Sequence, residues 1–494
     1  MKSSLAATGR RLVALVSGLM VLAGSALISA PPAEAASSPR LTLERVQPTV
    51  KLYREGSDVY GDLGIYAVAG KKAFVVKAKR SSYSKPIKAS LVRKGKDKKL
   101  PNPADFGGLS KFFTATFTNT AGKVVGRTAS SFCPNAEQPV RRRPSAPATS
   151  PYPLGCYGNP YSKGAVWGIQ AGYAAPLVSA GYSGSAYPNL PVGTYTATVR
   201  LESAYRKALG LSAKNATVSV KVNVIAYDEC AIDPESCTDD MRAAIAKTKQ
   251  QSMKVASAPK KLSGKKVKKP SGPLPDLRSL PAWGIGMDEG RYLTFSATVW
   301  NAGPGRLVVD GFRSKKDHDL MNAYQYFFTK SGKQKGYRKV GGMEWDARDG
   351  HEHWHFKDFA TYQLVDSKKQ LVVRSAKEAF CLANTDAVDY TLKGANWKPE
   401  NTELSTACGD RQSLGVREVL DTGSGDTYAQ YLPGQSFDLS GLRNGTYYIK
   451  IKTNPKKNLY EKKTGNNTSY RKVVIGGTPG DRTVKVAKVG RVKE

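Results

Sequence analysis

The run Gly193-Thr194-Tyr195-Thr196-Ala197-Thr198-Val199-Arg200-Leu201 decides the fold. Tyr195, Ala197, Val199 and Leu201 fall at every second place, with threonine or arginine between them. Only an extended strand, whose side chains alternate between faces, turns that spacing into one apolar and one wet surface. Val218-Ser219-Val220-Lys221-Val222-Asn223-Val224 alternates in the same way, and Phe112-Phe113-Thr114-Ala115-Thr116-Phe117 is built of aromatic and small or β-branched residues. Half-buried strands of this kind belong to antiparallel sandwiches. Far downstream, Asn444-Gly445-Thr446-Tyr447-Tyr448-Ile449-Lys450-Ile451 repeats the Gly-Thr-Tyr opening. The expectation is an all-β chain of two tandem β-sandwich-like domains, at residues 41–228 and 273–478.

The stretch between them, 229–272, reads differently. Thr238-Asp239-Asp240 is a helix start, with Met241, Ala244 and Ile245 as a short apolar stripe. Pro259-Lys260-Lys261-Leu262-Ser263-Gly264-Lys265-Lys266-Val267-Lys268-Lys269-Pro270 is too polar to bury much and reads as a solvated, Lys-rich linker. No aromatic residue is interleaved with these lysines, so a base-stacking surface and specific nucleic-acid recognition are not expected. Residues 479–494 read as a loose basic tail.

Of 494 residues, 76 are Lys or Arg and 40 Asp or Glu, for a formal charge of +36. With 40% hydrophobic residues, neither disorder throughout nor a many-span membrane protein fits. The charge implies attraction to polyanions such as nucleic acid, acidic wall polymers or anionic lipid surfaces. Lys2, Arg10 and Arg11 precede an apolar stretch from Leu12 to Ala30, and a small-residue cleavage pattern ends at Ala35. Residues 1–35 therefore read as a signal peptide, and the product as secreted or wall-associated. No later run is apolar enough for a membrane span. In an oxidising compartment, six cysteines favour disulfides. Of the fifteen pairings they allow, the sequential one (Cys133 with Cys156, Cys230 with Cys237, Cys381 with Cys408) is the simplest.

Three of the four histidines fall in His351-Glu352-His353-Trp354-His355. On a strand, all three imidazoles share a face while Glu352 and Trp354 take the other. Same-face neighbours on a regular strand stand roughly 6.6 Å apart. Two rings can then share a metal, and three need a bent strand. Imidazole suits copper, zinc, iron and nickel, and copper has the highest affinity. Three nitrogens leave coordination positions open, as in a catalytic site. His318 is a further histidine, read as a loop residue rather than a fourth ligand. A zinc hydrolase lacks support, because no His-Glu-x-x-His occurs.

Asp349-Gly350-His351-Glu352-His353-Trp354-His355-Phe356 resembles the copper-binding signature of the lysyl oxidase family. Phe359-Ala360-Thr361-Tyr362-Gln363-Leu364 is similar to the strand that follows it. Lys377-Glu378-Ala379-Phe380-Cys381-Leu382 and Asp426-Thr427-Tyr428 resemble the stretches carrying the family's cofactor lysine and tyrosine. Leu274-Pro275-Asp276-Leu277, Asn454-Pro455 and Asn466-Asn467 are similar to the domain's opening and closing segments, so the resemblance covers roughly 274–475. It implies copper on His351, His353 and His355, and a lysine tyrosylquinone made from Lys377 and Tyr428. The implied activity oxidises a primary amine or protein lysine with O₂, giving aldehyde, ammonia and hydrogen peroxide. It further implies a calcium site of Asp276, Glu461, Asn466 and Asn467, oxygen donors suited to a hard cation. A Cys381–Cys408 bridge would pin the segment after Lys377. Asp426, two residues from Tyr428 on the same strand face, is the candidate general base. The alternative reading is a non-catalytic metal-binding protein held on acidic extracellular polymers by its charge. The sequence departs from the animal enzymes in having one cysteine pair in this region and a longer stretch between Lys377 and Tyr428.

Overall fold

Gly193–Leu201 is a strand, paired antiparallel with Thr217–Ala226 on one side and Leu109–Asn119 on the other. Its alternation sends Tyr195, Ala197, Val199 and Leu201 into the core. The computed structural model describes residues 40–178, 187–227, 258–316, 318–348, 352–375, 379–489 and 492. The expected signal peptide, the helix near Thr238, the Cys230–Cys237 pair, His351 and Lys377 lie outside the described residues.

Among the described residues, 41–226 build three sheets, the largest a six-stranded sheet that contains Gly193–Leu201. Its one parallel pairing joins Thr49–Glu55 to Thr217–Ala226, so the beginning and end of this half lie side by side. The short helix Ser203–Leu209 stops at Gly210, whose φ of 69° is a left-handed value suited to glycine.

Residues 277–486 build three more sheets. One centres on Tyr292–Asn301, which pairs with Leu277–Ser279 and Ser424–Tyr428. A second runs in the order His353–Phe356, Gln334–Asp346, Leu320–Phe328, Leu307–Phe312, Gly415–Leu420. The third runs Leu371–Arg374, Ala360–Val365, Gly445–Thr453, Thr468–Thr478, Asp481–Val486. The fold is all-β, as the alternating runs predict.

Two polar segments are more ordered than their composition suggests. Within the Lys-rich stretch, the Val267 N–H donates to Tyr337 C=O (2.9 Å) and the Tyr337 N–H to Lys265 C=O (3.0 Å). Leu262 packs on Val308, Tyr326 and Val419. The lysines stay wet while the backbone and one leucine dock, so 262–268 is an added edge rather than a free tether. Likewise Asp481–Val486, expected to be loose, is the edge strand beside Thr468–Thr478.

The described residues from 40 onward fall in one compact unit. Ala387 and Tyr390, from the long stretch between Cys381 and Cys408, are buried in the core of the first half. The Ser162 hydroxyl donates to Ala387 C=O (2.7 Å), and the Lys163 N–H to Val388 C=O (2.6 Å). Part of the stretch between Lys377 and Tyr428 thus laps onto the first half.

Candidate metal and cofactor site

Gln334–Asp346 and His353–Phe356 form an antiparallel pair in which Asp346 faces His353 and Glu344 faces His355. Trp354 is buried on the face away from the two histidines. Its indole N–H donates to Asp410 C=O (2.9 Å), its backbone N–H to Cys408 C=O (3.1 Å), and the Arg313 guanidinium lies 4.6 Å from its ring centre. This anchoring sets which way the imidazoles point.

His353 Nε2 and His355 Nε2 lie 2.9 Å apart. Two nitrogens each about 2.0–2.1 Å from a shared ion stand about this far apart when they take adjacent coordination positions, so the pair fits a metal. On its other side, His355 Nδ1 lies 3.2 Å from Asp346 Oδ2. Arg348 grips Asp346 through its guanidinium (2.8 and 2.5 Å) and its backbone N–H (3.2 Å). Burial opposes ionisation of Asp346, but Arg348 and then His355 outweigh it and hold the carboxyl below its ordinary value. His355 is 1% exposed, so this carboxylate is a fixed part of its surroundings. Among the described residues no three His, Cys, Asp or Glu side chains form a metal cluster, and the third expected ligand, His351, is outside them. His318 lies in the loop before Leu320–Phe328, where its C=O accepts from Arg313.

Tyr428 closes the strand Ser424–Tyr428 and is buried. Its hydroxyl accepts from the Cys381 N–H (3.0 Å) and donates to the Cys381 C=O (3.3 Å). Burial, then the Asp426 and Glu418 carboxyls, pushes this phenol well above its ordinary range. A phenol in that setting ionises only beside a compensating cation. Cys381 also pairs with Cys408, at a Cα separation of 6.1 Å; Cys133 and Cys156 form a second bridge.

Phe380 joins these parts. Its backbone bonds to Phe356 in both directions (2.7 and 3.1 Å), one residue from His355. Its ring meets Tyr428 edge to face at 4.7 Å. The histidine strand, Tyr428 and the segment that begins at Lys377 therefore come together at Phe380–Cys381. Lys377 is four residues before Cys381, a span of at most roughly 14 Å.

Two buried carboxyls accompany Tyr428. Asp426 shares its strand face and is 3% exposed. Glu418, which sequence reading passes over, is fully buried, and one of its oxygens accepts the Leu382 N–H (3.0 Å). Burial, with Asp426 adding repulsion, pushes its carboxyl well above the usual range. Glu418 lies in Val416-Arg417-Glu418-Val419-Leu420, where only its place between apolar neighbours signals burial.

The four oxygen-bearing residues expected to hold calcium also meet. Asn466 Nδ2 donates to Asp276 (3.0 Å), and Asn467 Nδ2 and Asn454 Nδ2 both donate to Glu461 (2.7 Å each). This leaves Asn466 Oδ1 and Asn467 Oδ1 buried without hydrogen-bond partners among the described residues. Buried acceptors in that state are costly, and a hard cation would satisfy them, so the donor set fits calcium. Asn454, quoted above only for its neighbouring proline, is a further member.

The family model of lysyl oxidase matches residues 310–480. Protein-lysine 6-oxidase of Rattus norvegicus is 29% identical over 125 residues, which are 25% of this chain. The match spans about a quarter (26%) of the rat protein's length. The matched range takes in the histidine strand, Phe380–Cys381 and Tyr428, so residues 310–480 of this chain are similar to the lysyl oxidase domain.

Proposed function

We propose that this chain is a secreted copper-dependent amine oxidase that deaminates peptidyl-lysine or another primary amine to the aldehyde, with ammonia and hydrogen peroxide as by-products. His351, His353 and His355 would hold the copper, and Lys377 and Tyr428 would become the lysine tyrosylquinone. Bound copper would supply one-electron chemistry with O₂, and the quinone would supply an electron sink. The observation that carries this reading is the meeting of three segments at Phe380–Cys381.

The chain's own groups do the positioning. With its Nδ1 proton held by Asp346, His355 turns the Nε2 lone pair toward His353, the arrangement in which a carboxylate orients a metal-bound imidazole. Backbone groups of Cys381 hold the Tyr428 hydroxyl at the segment leading back to Lys377. Asp426, on the same strand face, is the group proposed to accept the substrate's proton. Asp276, Glu461, Asn466 and Asn467 would hold calcium and so tie the domain's opening and closing segments. The excess of basic residues supports retention on acidic polymers in addition, which should weaken steeply as salt rises.

The test joins metal analysis, a quinone stain, peroxide release from a panel of amines, and tryptic mapping. Copper-loaded protein should yield one cross-linked peptide containing Lys377 and Tyr428, absent from Lys377→Ala and from Tyr428→Phe. Unmodified peptides in protein that still oxidises amines would overturn the cofactor assignment. Full copper occupancy without turnover of any amine would favour the non-catalytic reading.

A further inference from the structure

Between the two halves lies a cavity of about 220 Å³. One wall comes from residues 135–167, and the other from 384–400, the stretch that laps across. Trp167 and Tyr390 are buried in its walls, while Tyr157, 52% exposed, stands where the cavity meets solvent. Both walls are stiff. The first is tied by the Cys133–Cys156 bridge and by Asn135, whose side chain accepts the Gly168 N–H (2.7 Å). In the second, Asn384 accepts the Asp421 N–H (2.8 Å) and Thr385 the Thr427 N–H (2.7 Å).

The chain carries nearly two basic residues for each acidic one, yet among the described residues the only charged one lining this cavity is Glu400. Its backbone N–H is fixed to Pro151 C=O (3.2 Å), and the next residue, Asn401, donates to Ser150 C=O (2.9 Å). No ion pair joins Glu400 to a cation among the described residues. Desolvation is the one influence that raises its carboxyl above the ordinary value. A half-buried carboxyl beside aromatic walls is matched by a cation that brings its own apolar body: the carboxylate takes the charge, and the rings take both the aliphatic part and the cation's field. A metal ion fits less well, since one carboxylate supplies too few oxygens.

We infer that the Glu400 cavity is a docking subsite for a primary alkylammonium group, built jointly by the two halves. Its volume suits a short alkylamine or the end of a lysine side chain rather than a larger ligand. The subsite gives the first half a part in substrate choice. Thr385 links it to the cofactor strand, because the backbone amide it binds belongs to the neighbour of Tyr428. As a place for substrate the subsite rests on the amine-oxidase reading; as a cation site it does not.

The experiment uses the metal-free full-length chain, which cannot turn substrate over. n-Butylammonium chloride is titrated by calorimetry at fixed ionic strength, with 1-butanol as the uncharged analogue. Saturable binding of one butylammonium is expected, weakened by about tenfold or more in Glu400→Gln, abolished in Glu400→Lys, and absent for the alcohol. Thermal melts of both variants report that the fold is kept. Equal binding by wild type and Glu400→Gln, or no saturable binding to the folded wild type, would overturn the inference. If metal-free protein binds butylammonium through Glu400 but copper-loaded protein oxidises no amine, the cation site stands and the proposed activity falls.

Discussion

Asp346 shows how much a single side chain sets at this site. Its carboxylate is fixed by Arg348 and fixes His355 in turn. Asp346→Asn should keep the fold yet lower copper affinity by about 10–100-fold, read by competition with a chelator and by a changed copper spin-resonance spectrum. An unchanged affinity would remove Asp346 from its positioning role. Glu418 makes a second prediction at this scale. Its folded pKa is raised from 4.5, so the stability it contributes is whole below about that pH and is lost as pH rises toward the folded value. Glu418→Gln, which keeps an acceptor for the Leu382 N–H, removes that loss. Urea denaturation from about pH 5 to about pH 8 should show wild type falling behind the variant, by up to about 1.4 kcal/mol per pH unit. The histidines were legible in the sequence because three sit in one short window. Asp346 and Glu418 were not, because each matters through a cross-strand or buried neighbour that linear spacing does not reveal.

At the scale of elements, the pairing of Phe356 with Phe380 holds the histidine strand against the segment that carries Cys381. Phe380→Ala removes a fully buried ring and should cost about 3–5 kcal/mol, measured by denaturant unfolding. It should also lower the yield of the proposed Lys377–Tyr428 cross-link by freeing Cys381 to move. The closing segment makes a related prediction. If calcium satisfies Asn466 Oδ1 and Asn467 Oδ1, a calcium-specific chelator should lower the melting temperature and added calcium should restore it. No effect in either direction would remove the cation from that site. Strands of strict alternation, such as Gly193–Leu201 and Gly445–Thr453, were readable because one face of each is buried. The Lys-rich edge and Asp481–Val486 were not, since they join through backbone hydrogen bonds, which carry little trace in side-chain pattern.

For the whole molecule, Ala387 and Tyr390 are what the two halves share. Residues 40–227 expressed alone would lack both, leaving apolar surface open where Tyr390 is normally enclosed. That fragment should melt below the full chain and bind a hydrophobic dye, whereas a fragment that is native-like and silent to the dye would show the halves to be independent. The sequence suggests two sandwich-like domains in a row, on the strength of the repeated Gly-Thr-Tyr strands. It did not show that one lends residues to the other, because Ala387-Val388-Asp389-Tyr390 has no periodicity to mark it. This loan also sets an order in time. A ribosome adds roughly 5–20 residues per second, so the amino-terminal half waits many seconds for the two residues that complete its interior. During that interval it is an unfinished surface, its apolar part open to other contacts until Ala387 and Tyr390 arrive.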